Sequence, residues 1–203
     1  MIYHDVQQGT PEWAQLRLGV PTASNFDKIM TPAKMQLSKS ADKLIATLIG
    51  DKLSPFLPER IETFTSKPME WGQQTEEEAR RYYEMEKGCT VQNGGFCLSD
   101  DGMIGCSPDG LVGEDGGLEL KCPLPGTHVQ YLLDGGLPEE YKCQVHGCLI
   151  VTGRAWWDFM SYSIGLPPFL IRVTPDAYTA KLKSVIYDEF LPRFDELLKK
   201  IQG

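Results

Sequence analysis

The sequence predicts an α+β fold in which one mixed β-sheet is flanked by α-helices. Segments with helical periodicity and helix caps occupy the N-terminal third and the C-terminal end. Between them, residues 94–122 contain short apolar runs separated by Asp-Gly and Gly-Gly turns, which is typical of an antiparallel meander. The order of the elements favours packed α+β layers. It begins with helices and short strands and continues with a helix, two strands and a last helix.

The composition predicts one domain over residues 1–203. Of the 203 residues, 41% are hydrophobic, which is enough to form a core. No run approaches the roughly 18 apolar residues of a membrane span, and the N terminus lacks the features of a secretory signal. We therefore expect a cytoplasmic protein with no membrane partner. The net charge of −8 argues against nucleic-acid binding through the whole surface, so Lys and Arg should line one channel.

Three helices are predicted in the first 51 residues. Thr10-Pro11 is typical of an N-cap followed by proline at the first helical position. Either Thr22 or Ser24 caps a second, short helix that runs to Met30. Residues 40–51 have helical periodicity as well.

A longer helix is predicted from Thr75, which forms a capping box with Glu78, and Gly88 follows its end. The proline-rich residues 53–68 before it predict an irregular connection.

The second half of the chain continues with a helix that Pro138 opens and Gly153 stops. Residues 155–164 and 169–174 predict strands. Thr174-Pro175 should start the terminal helix.

The candidate chemistry lies in the strand-rich segment, on Asp109, Glu119 and Lys121. Glu119 and Lys121 are two apart on a strand and point to one face, whereas Leu120 points to the opposite, apolar layer. A hairpin brings Asp109 beside them, where two carboxylates repel unless a cation such as magnesium or manganese is present. These groups suit metal-assisted phosphodiester hydrolysis. The alternative is an Asp109-Gly110 turn and an ordinary ion pair on a solvated strand face.

Five blocks of sequence resemble the lambda exonuclease and YqaJ family of phage-type recombination nucleases, within the PD-(D/E)xK superfamily. They occur in the family's order over residues 12–162 and read EWAQLRLGVPTAS, MEWGQQTEEEARRYYE, CSPDGLV, GLELKCP and EYKCQVHGCLIVTGRAWWDFMSY. The resemblance implies a restriction-endonuclease-like core.

The resemblance also implies roles at the hydrolytic centre. Asp109, Glu119 and the carbonyl of Leu120 would bind the catalytic metal, and Lys121 would serve the attacking water. Glu76, which follows Trp71-Gly72, is similar to the family's helix-borne carboxylate near a second metal. A glutamate in the first turn of a helix also simply complements the macrodipole.

Gln144 resembles the family's glutamine that holds the nucleophile or the scissile phosphate; an isolated glutamine on a helix is otherwise solvated.

Arg17 and Ser24 match the family's pocket for the 5′-phosphate of a DNA end. Ser24 lies near a predicted helix start, where free backbone N–H groups attract an anion, and the Arg17 guanidinium could bind the same anion. Ser24 could instead be an N-cap. Ser107 could add a hydroxyl contact. Trp13 could stack on a terminal base or simply pack.

The resemblance implies a magnesium-dependent 5′-to-3′ exonuclease, with manganese as a substitute, that acts processively on double-stranded DNA ends. It implies a homotrimeric ring, a single-strand annealing recombinase as partner, and action in the cytoplasm of a bacterial host of phage or prophage origin. One alternative is an endonuclease or junction resolvase of the same superfamily. Another is a non-catalytic nucleic-acid-binding module with a structural zinc at Cys143, His146 and Cys148.

Overall fold

The computed structural model describes residues 1–54 and 67–203, and the side chains of all of these except residues 67–74. A 3-10 turn, Ala23–Asn25, precedes the second helix, and a π-helical stretch, Val185–Phe190, joins the last two. The α-helices of the described residues are Pro11–Arg17 (α1), Phe26–Ile29 (α2), Ala41–Leu53 (α3), Lys67–Lys87 (α4), Pro125–Asp134 (α5), Glu139–Thr152 (α6), Ala177–Ser184 (α7) and Leu191–Gln202 (α8).

The strands are short and form three sheets in the part of the chain that the structure describes. They are Ile2–His4 (β1), Met30–Thr31 (β2), Gln36–Leu37 (β3), Val91–Gln92 (β4), Phe96–Leu98 (β5), Gly105–Cys106 (β6), Gly110–Val112 (β7), Gly116–Lys121 (β8), Trp156–Ser161 (β9) and Phe169–Val173 (β10).

The largest sheet has the strand order β10-β9-β8-β7-β4. Strands β8 and β9 are parallel, and the crossover connection that a parallel pair needs contains α5 and α6. The other neighbours are antiparallel. The predicted α+β class with a mixed sheet flanked by helices is therefore confirmed. A second sheet has the order β1-β5-β6, and β2 and β3 form a two-stranded ribbon.

Helices cover both faces of the large sheet, and strand alternation decides which residues each face receives. Trp157 and Phe159 of β9 belong to the larger core cluster, with residues of α3, α6 and α8. Leu118 and Leu120 of β8 belong to the other cluster, where Tyr83 of α4 packs. Leu120 thus lies in the apolar layer that the alternation predicts. Each fully buried side chain of this size stabilises the fold by roughly 1.5–3 kcal/mol.

The predicted start of the long helix at Thr75 is wrong. Helix α4 begins at Lys67, so Thr75 is a buried residue inside the helix and not its N-cap. Glu78, the other half of the predicted capping box, accepts a hydrogen bond from the Tyr162 hydroxyl at 2.6 Å. A helix that has started upstream propagates through such a sequence, since adding a residue is far easier than nucleating a new helix. The predicted end at Gly88 is confirmed, with φ of +60°.

The predicted meander over residues 94–122 is two hairpins in different sheets. The β5–β6 hairpin pairs with β1, and the β7–β8 hairpin lies in the large sheet. Turn signals identify each hairpin but not the sheet that it joins, because that choice depends on distant strands.

Other parts of the chain also differ from the sequence predictions. Helix α5 was not predicted. The terminal helical segment begins at Ala177 with Asp176 as its N-cap, not at Thr174-Pro175. The predicted connection over residues 53–68 lies mostly outside the described residues, and its two ends belong to α3 and α4. No helix among the described residues is both long and apolar enough to cross a membrane.

Candidate active site

The β7–β8 hairpin sets Asp109 and Glu119 opposite each other. Gly110 pairs with Leu118, so the next residues outward, Asp109 and Glu119, face each other at the open end of the hairpin. The Asp109 carboxylate accepts a hydrogen bond from the Leu120 N–H at 2.7 Å. Gly110 is required beside it, because a Cβ there would lie 2.1 Å from a methyl group of Val91. Asp109-Gly110 thus stands at the start of β7 and not in the hairpin turn, and its glycine is a packing requirement.

Glu119 is fully buried and holds the centre of the site. Its Oε1 accepts hydrogen bonds from Lys121 Nζ and from Gln144 Nε2, both at 2.5 Å. Its Oε2 is buried and has no hydrogen-bond partner among the described residues. Burial raises the pKa of Glu119 against the opposing effect of Lys121, and Asp109 and Glu76 raise it further. One carboxylate oxygen is thus left without compensation. We call Asp109, Glu119, Lys121 and Gln144 the carboxylate site.

Lys121 lies on the same strand face as Glu119, as the alternation predicts. Burial alone would lower the pKa of Lys121, but the carboxylates of Glu119 and Asp109 raise it above its usual value. Its ammonium also lies 5.2 Å from the centre of the Tyr141 ring. The Lys121 ammonium is therefore held by the carboxylates and donates a hydrogen bond to Glu119.

Glu76 and Arg80 bring helix α4 to the same end of the sheet. Burial raises the pKa of Glu76, and so does Asp109, while Arg80 and Lys121 lower it. The Arg80 guanidinium donates a hydrogen bond to the backbone carbonyl of Asp109. Because α4 begins at Lys67, Glu76 is not in its first turn and the macrodipole does not explain its position. The Trp71 side chain, five residues before Glu76, lies outside the described residues.

The carboxylate site fits a hard divalent cation. The described residues hold no group of three His, Cys, Asp or Glu side chains arranged to ligate one ion. Magnesium does not require such a group, since it is usually bound by one or two carboxylates together with waters and substrate phosphates. The unpartnered Glu119 Oε2 and the Asp109 carboxylate supply two oxygen donors. The Leu120 carbonyl points to the same side as the N–H that binds Asp109, so it is a third.

The residues of the zinc alternative have separate partners. The Cys143 thiol lies 3.4 Å from the Met30 carbonyl, and His146 Nδ1 lies 2.7 Å from the Thr179 hydroxyl. Cys148 is buried beside the Cys106 thiol. These contacts do not support a shared zinc site.

A second cluster forms around Arg17, 90 residues from Ser107 in the chain. Arg17 Nη1 donates to the Ser107 hydroxyl at 2.8 Å, and Nη2 lies 3.3 Å from the Thr22 hydroxyl and 3.4 Å from the Ser24 hydroxyl. The Trp13 ring lies under the guanidinium at 4.3 Å and donates to Ser107 at 2.9 Å. We call Trp13, Arg17, Thr22, Ser24 and Ser107 the Arg17 cluster.

Four members of this cluster are predicted from the sequence, and Thr22 is the member that the sequence did not indicate. Ser24 lies inside a three-residue 3-10 turn and is not an N-cap. Helix α2 has only four residues, so a helix dipole contributes little here. The positive charge of this cluster therefore comes from Arg17 and not from a helix end. Near the carboxylate site, Arg80 and Tyr141 were not predicted. Arg80 lies four residues after Glu76, and Tyr141 lies three residues before Gln144, so helical spacing is the signal that could have identified them.

Comparisons with known proteins agree with this fold. The sequence profile of the YqaJ-like viral recombinase domain matches residues 12–155. An alkaline exonuclease from Laribacter hongkongensis has 32% identity and a TM-score of 0.81, over 95% of this chain and 96% of that chain. Its complex with dAMP gives the same values. A phage-related exonuclease from Haemophilus somnus 129PT shares the fold, with a TM-score of 0.66 and 13% identity over 90% and 96% of the two chains. No curated protein sequence matches.

The fold and these matches define an exodeoxyribonuclease with a restriction-endonuclease-like core. The family match spans most of the chain and includes Arg17, Asp109, Glu119 and Gln144. The chain belongs to the YqaJ-like viral recombinase domain family.

Proposed function

We propose that this exonuclease is magnesium-dependent, with manganese as a substitute, and that it digests the 5′-terminated strand of double-stranded DNA ends processively. It prefers a 5′-phosphate and leaves a 3′ single-stranded overhang. One observation carries the proposal: Arg17 contacts Ser107 at 2.8 Å, and Ser107 is only two residues from Asp109. Two residues of backbone span at most about 7 Å, which is comparable with the separation of neighbouring phosphates in a DNA strand.

The Arg17 cluster supplies the grip on the terminal phosphate. The Arg17 guanidinium now donates to three neutral hydroxyls, and a phosphate would offer it stronger, charge-assisted acceptors. The hydroxyls of Ser24 and Ser107 would then turn to donate to the same anion. Trp13 would keep the guanidinium in place and present a ring edge to the first base.

The carboxylate site supplies the hydrolysis. A magnesium ion held by Asp109, Glu119 and the Leu120 carbonyl would lower the pKa of bound water and offset charge on the scissile phosphate. Lys121, charged and partly exposed, is positioned to donate to the attacking water and to the phosphate oxygen that gains charge. Gln144 fixes the Glu119 carboxylate through its 2.5 Å hydrogen bond. Glu76 adds a carboxylate for a second ion.

The family supports the larger setting of the proposal. We expect a homotrimeric ring around the DNA, a single-strand annealing recombinase as partner, and a role in phage-type recombination in the bacterial cytoplasm. The complex of the Laribacter enzyme with dAMP is consistent with a mononucleotide product.

Digestion of linear duplex with and without a 5′-phosphate tests the proposal. We expect magnesium-dependent digestion that is faster on the phosphorylated end, and we expect Arg17→Ala to reduce this preference about 10- to 100-fold, as the loss of a charged hydrogen bond does. Arg193→Ala is the control, because Arg193 forms an exposed ion pair with Asp42 and is not a member of the Arg17 cluster. Equal cutting of covalently closed circles would instead indicate an endonuclease, and activity that survives removal of magnesium would contradict the metal assignment.

A further inference from the structure

A groove of about 500 Å³ opens directly beside the Arg17 cluster. It lies between α1, α2 and α3, and we call it the α1–α3 groove. Arg17, Trp13 and Thr22 line both the groove and the Arg17 cluster. Ser107 and Asp109 do not line the groove. The groove therefore extends from the Arg17 guanidinium between the three helices and does not include the carboxylate site.

The groove has an apolar floor and a charged rim, in which two lysines outnumber the Asp51 carboxylate. Leu44 and Leu48 of α3 form part of the floor, and both are almost fully buried. Lys28 and Lys43 stand on opposite walls, from α2 and α3. Pockets of roughly 300–1,000 Å³ with mainly apolar walls and a few polar groups bind small organic ligands. An apolar floor beside the Trp13 ring suits a base and sugar, and the phosphate attached to them would reach Arg17.

We propose that the α1–α3 groove binds a nucleoside that lies on the 5′ side of the phosphate gripped by Arg17. This inference rests on the proposed function, because it extends the strand that the Arg17 cluster binds. An end with a 5′-phosphate leaves the groove empty, since nothing precedes the terminal phosphate. An end with a 5′-hydroxyl places its first nucleoside in the groove and its first internucleotide phosphate on Arg17.

The groove predicts an unusual first product from 5′-hydroxyl ends. With the first internucleotide phosphate on Arg17, the next phosphodiester reaches the carboxylate site. The oxygen of one water molecule bonds to its phosphorus, the bond from phosphorus to the 3′ oxygen breaks, and that oxygen takes up a proton. A dinucleoside monophosphate leaves, and the remaining strand now begins with a 5′-phosphate. Later cycles then release mononucleotides.

The first product can be identified with two otherwise identical blunt duplexes, one with a 5′-phosphate and one with a 5′-hydroxyl. Each is mixed with excess full-length enzyme and magnesium, and the earliest products are identified by mass spectrometry. A dinucleoside monophosphate from the hydroxyl end supports the groove. A free nucleoside as first product, or no product while the phosphorylated duplex is digested, overturns it. Failure to release mononucleotides from the phosphorylated duplex would overturn the proposed function itself, which is a separate outcome.

A groove-filling variant tests the location of the bound nucleoside. Thr47 lines the groove from the exposed side of α3, so Thr47→Trp fills it without disturbing the core. We expect the rate of dinucleotide release, divided by the variant's own rate of mononucleotide release from the phosphorylated end, to fall at least about tenfold. Ala46→Trp adds the same ring at the neighbouring exposed position, outside the groove lining, and should leave this ratio unchanged. An unchanged ratio in Thr47→Trp overturns the proposal.

Discussion

Replacing Glu119 by glutamine should abolish DNA cleavage and, in the metal-free protein, raise stability at alkaline pH. Glu119 is fully buried, and its Oε2 lacks a hydrogen-bond partner among the described residues. Burial is the main reason that its pKa rises from the ordinary 4.5 to about 7. A difference of this size corresponds to about 3 kcal/mol between the two protonation states. A glutamine side chain has the same shape and carries no charge to bury.

The direction of the pH dependence follows from the raised pKa. Between about pH 4.5 and pH 7 the folded protein keeps the Glu119 proton that the unfolded chain has lost. The contribution of Glu119 to the free energy of unfolding is therefore fully present below pH 4.5 and is lost as the pH rises through 7. Glu119→Gln should match the wild type near pH 4.5 and exceed it by at most about 3 kcal/mol at pH 8. The gain is an upper limit, because an amide oxygen accepts the hydrogen bonds from Lys121 and Gln144 less strongly than a carboxylate does.

Urea unfolding in EDTA at pH 5 and pH 8, followed by circular dichroism, measures this difference. Glu114→Gln is the matched control, since Glu114 is exposed in the turn of the same hairpin. Magnesium should stabilise the wild type at pH 8 more than it stabilises Glu119→Gln, because binding to the folded state alone raises stability. The reasoning is refuted if Glu119→Gln is less stable than the wild type at pH 8, or if the two proteins differ equally at both pH values.

Three further outcomes are expected. Lys121→Ala should slow single-turnover cleavage about 10²- to 10³-fold with an unchanged circular dichroism spectrum; a rate within tenfold of the wild type would contradict its role. Arg80→Ala should raise the magnesium concentration for half-maximal activity about 10- to 100-fold, because it removes the support of Asp109. Arg81→Ala breaks an exposed ion pair with Glu77 and should leave this magnesium concentration unchanged. Equal shifts in the two variants would argue against the role of Arg80 in positioning Asp109. Phe159→Ala should lower the free energy of unfolding by about 3–5 kcal/mol in urea, and a loss below about 1 kcal/mol would count against its place in the core.

Patterns within a short stretch of sequence were enough to predict the hairpin that contains Glu119 and Lys121. Asp115-Gly116 marks the end of the β7–β8 turn, although Gly116-Gly117 lies inside β8 and not in a turn. Alternation along β8 assigns Glu119 and Lys121 to one face and Leu120 to the other. Both features depend on residues close together in the chain, so the sequence alone is enough. The boundaries of α4 were harder, because Thr75 and Glu78 look the same at a helix start and inside a helix.

Contacts between distant segments could be decided only by the tertiary structure. The sequence was enough to predict the fold class and the proximity of Asp109 to Glu119 and Lys121, and the family resemblance added Arg17, Ser24 and Gln144. It did not determine that Arg17 meets Ser107 or that Arg80 holds the Asp109 carbonyl. Nor did it reveal the α1–α3 groove, whose walls come from three helices. Such contacts arise from the way that packed layers bring remote side chains together, and no periodicity within a single segment encodes that distance.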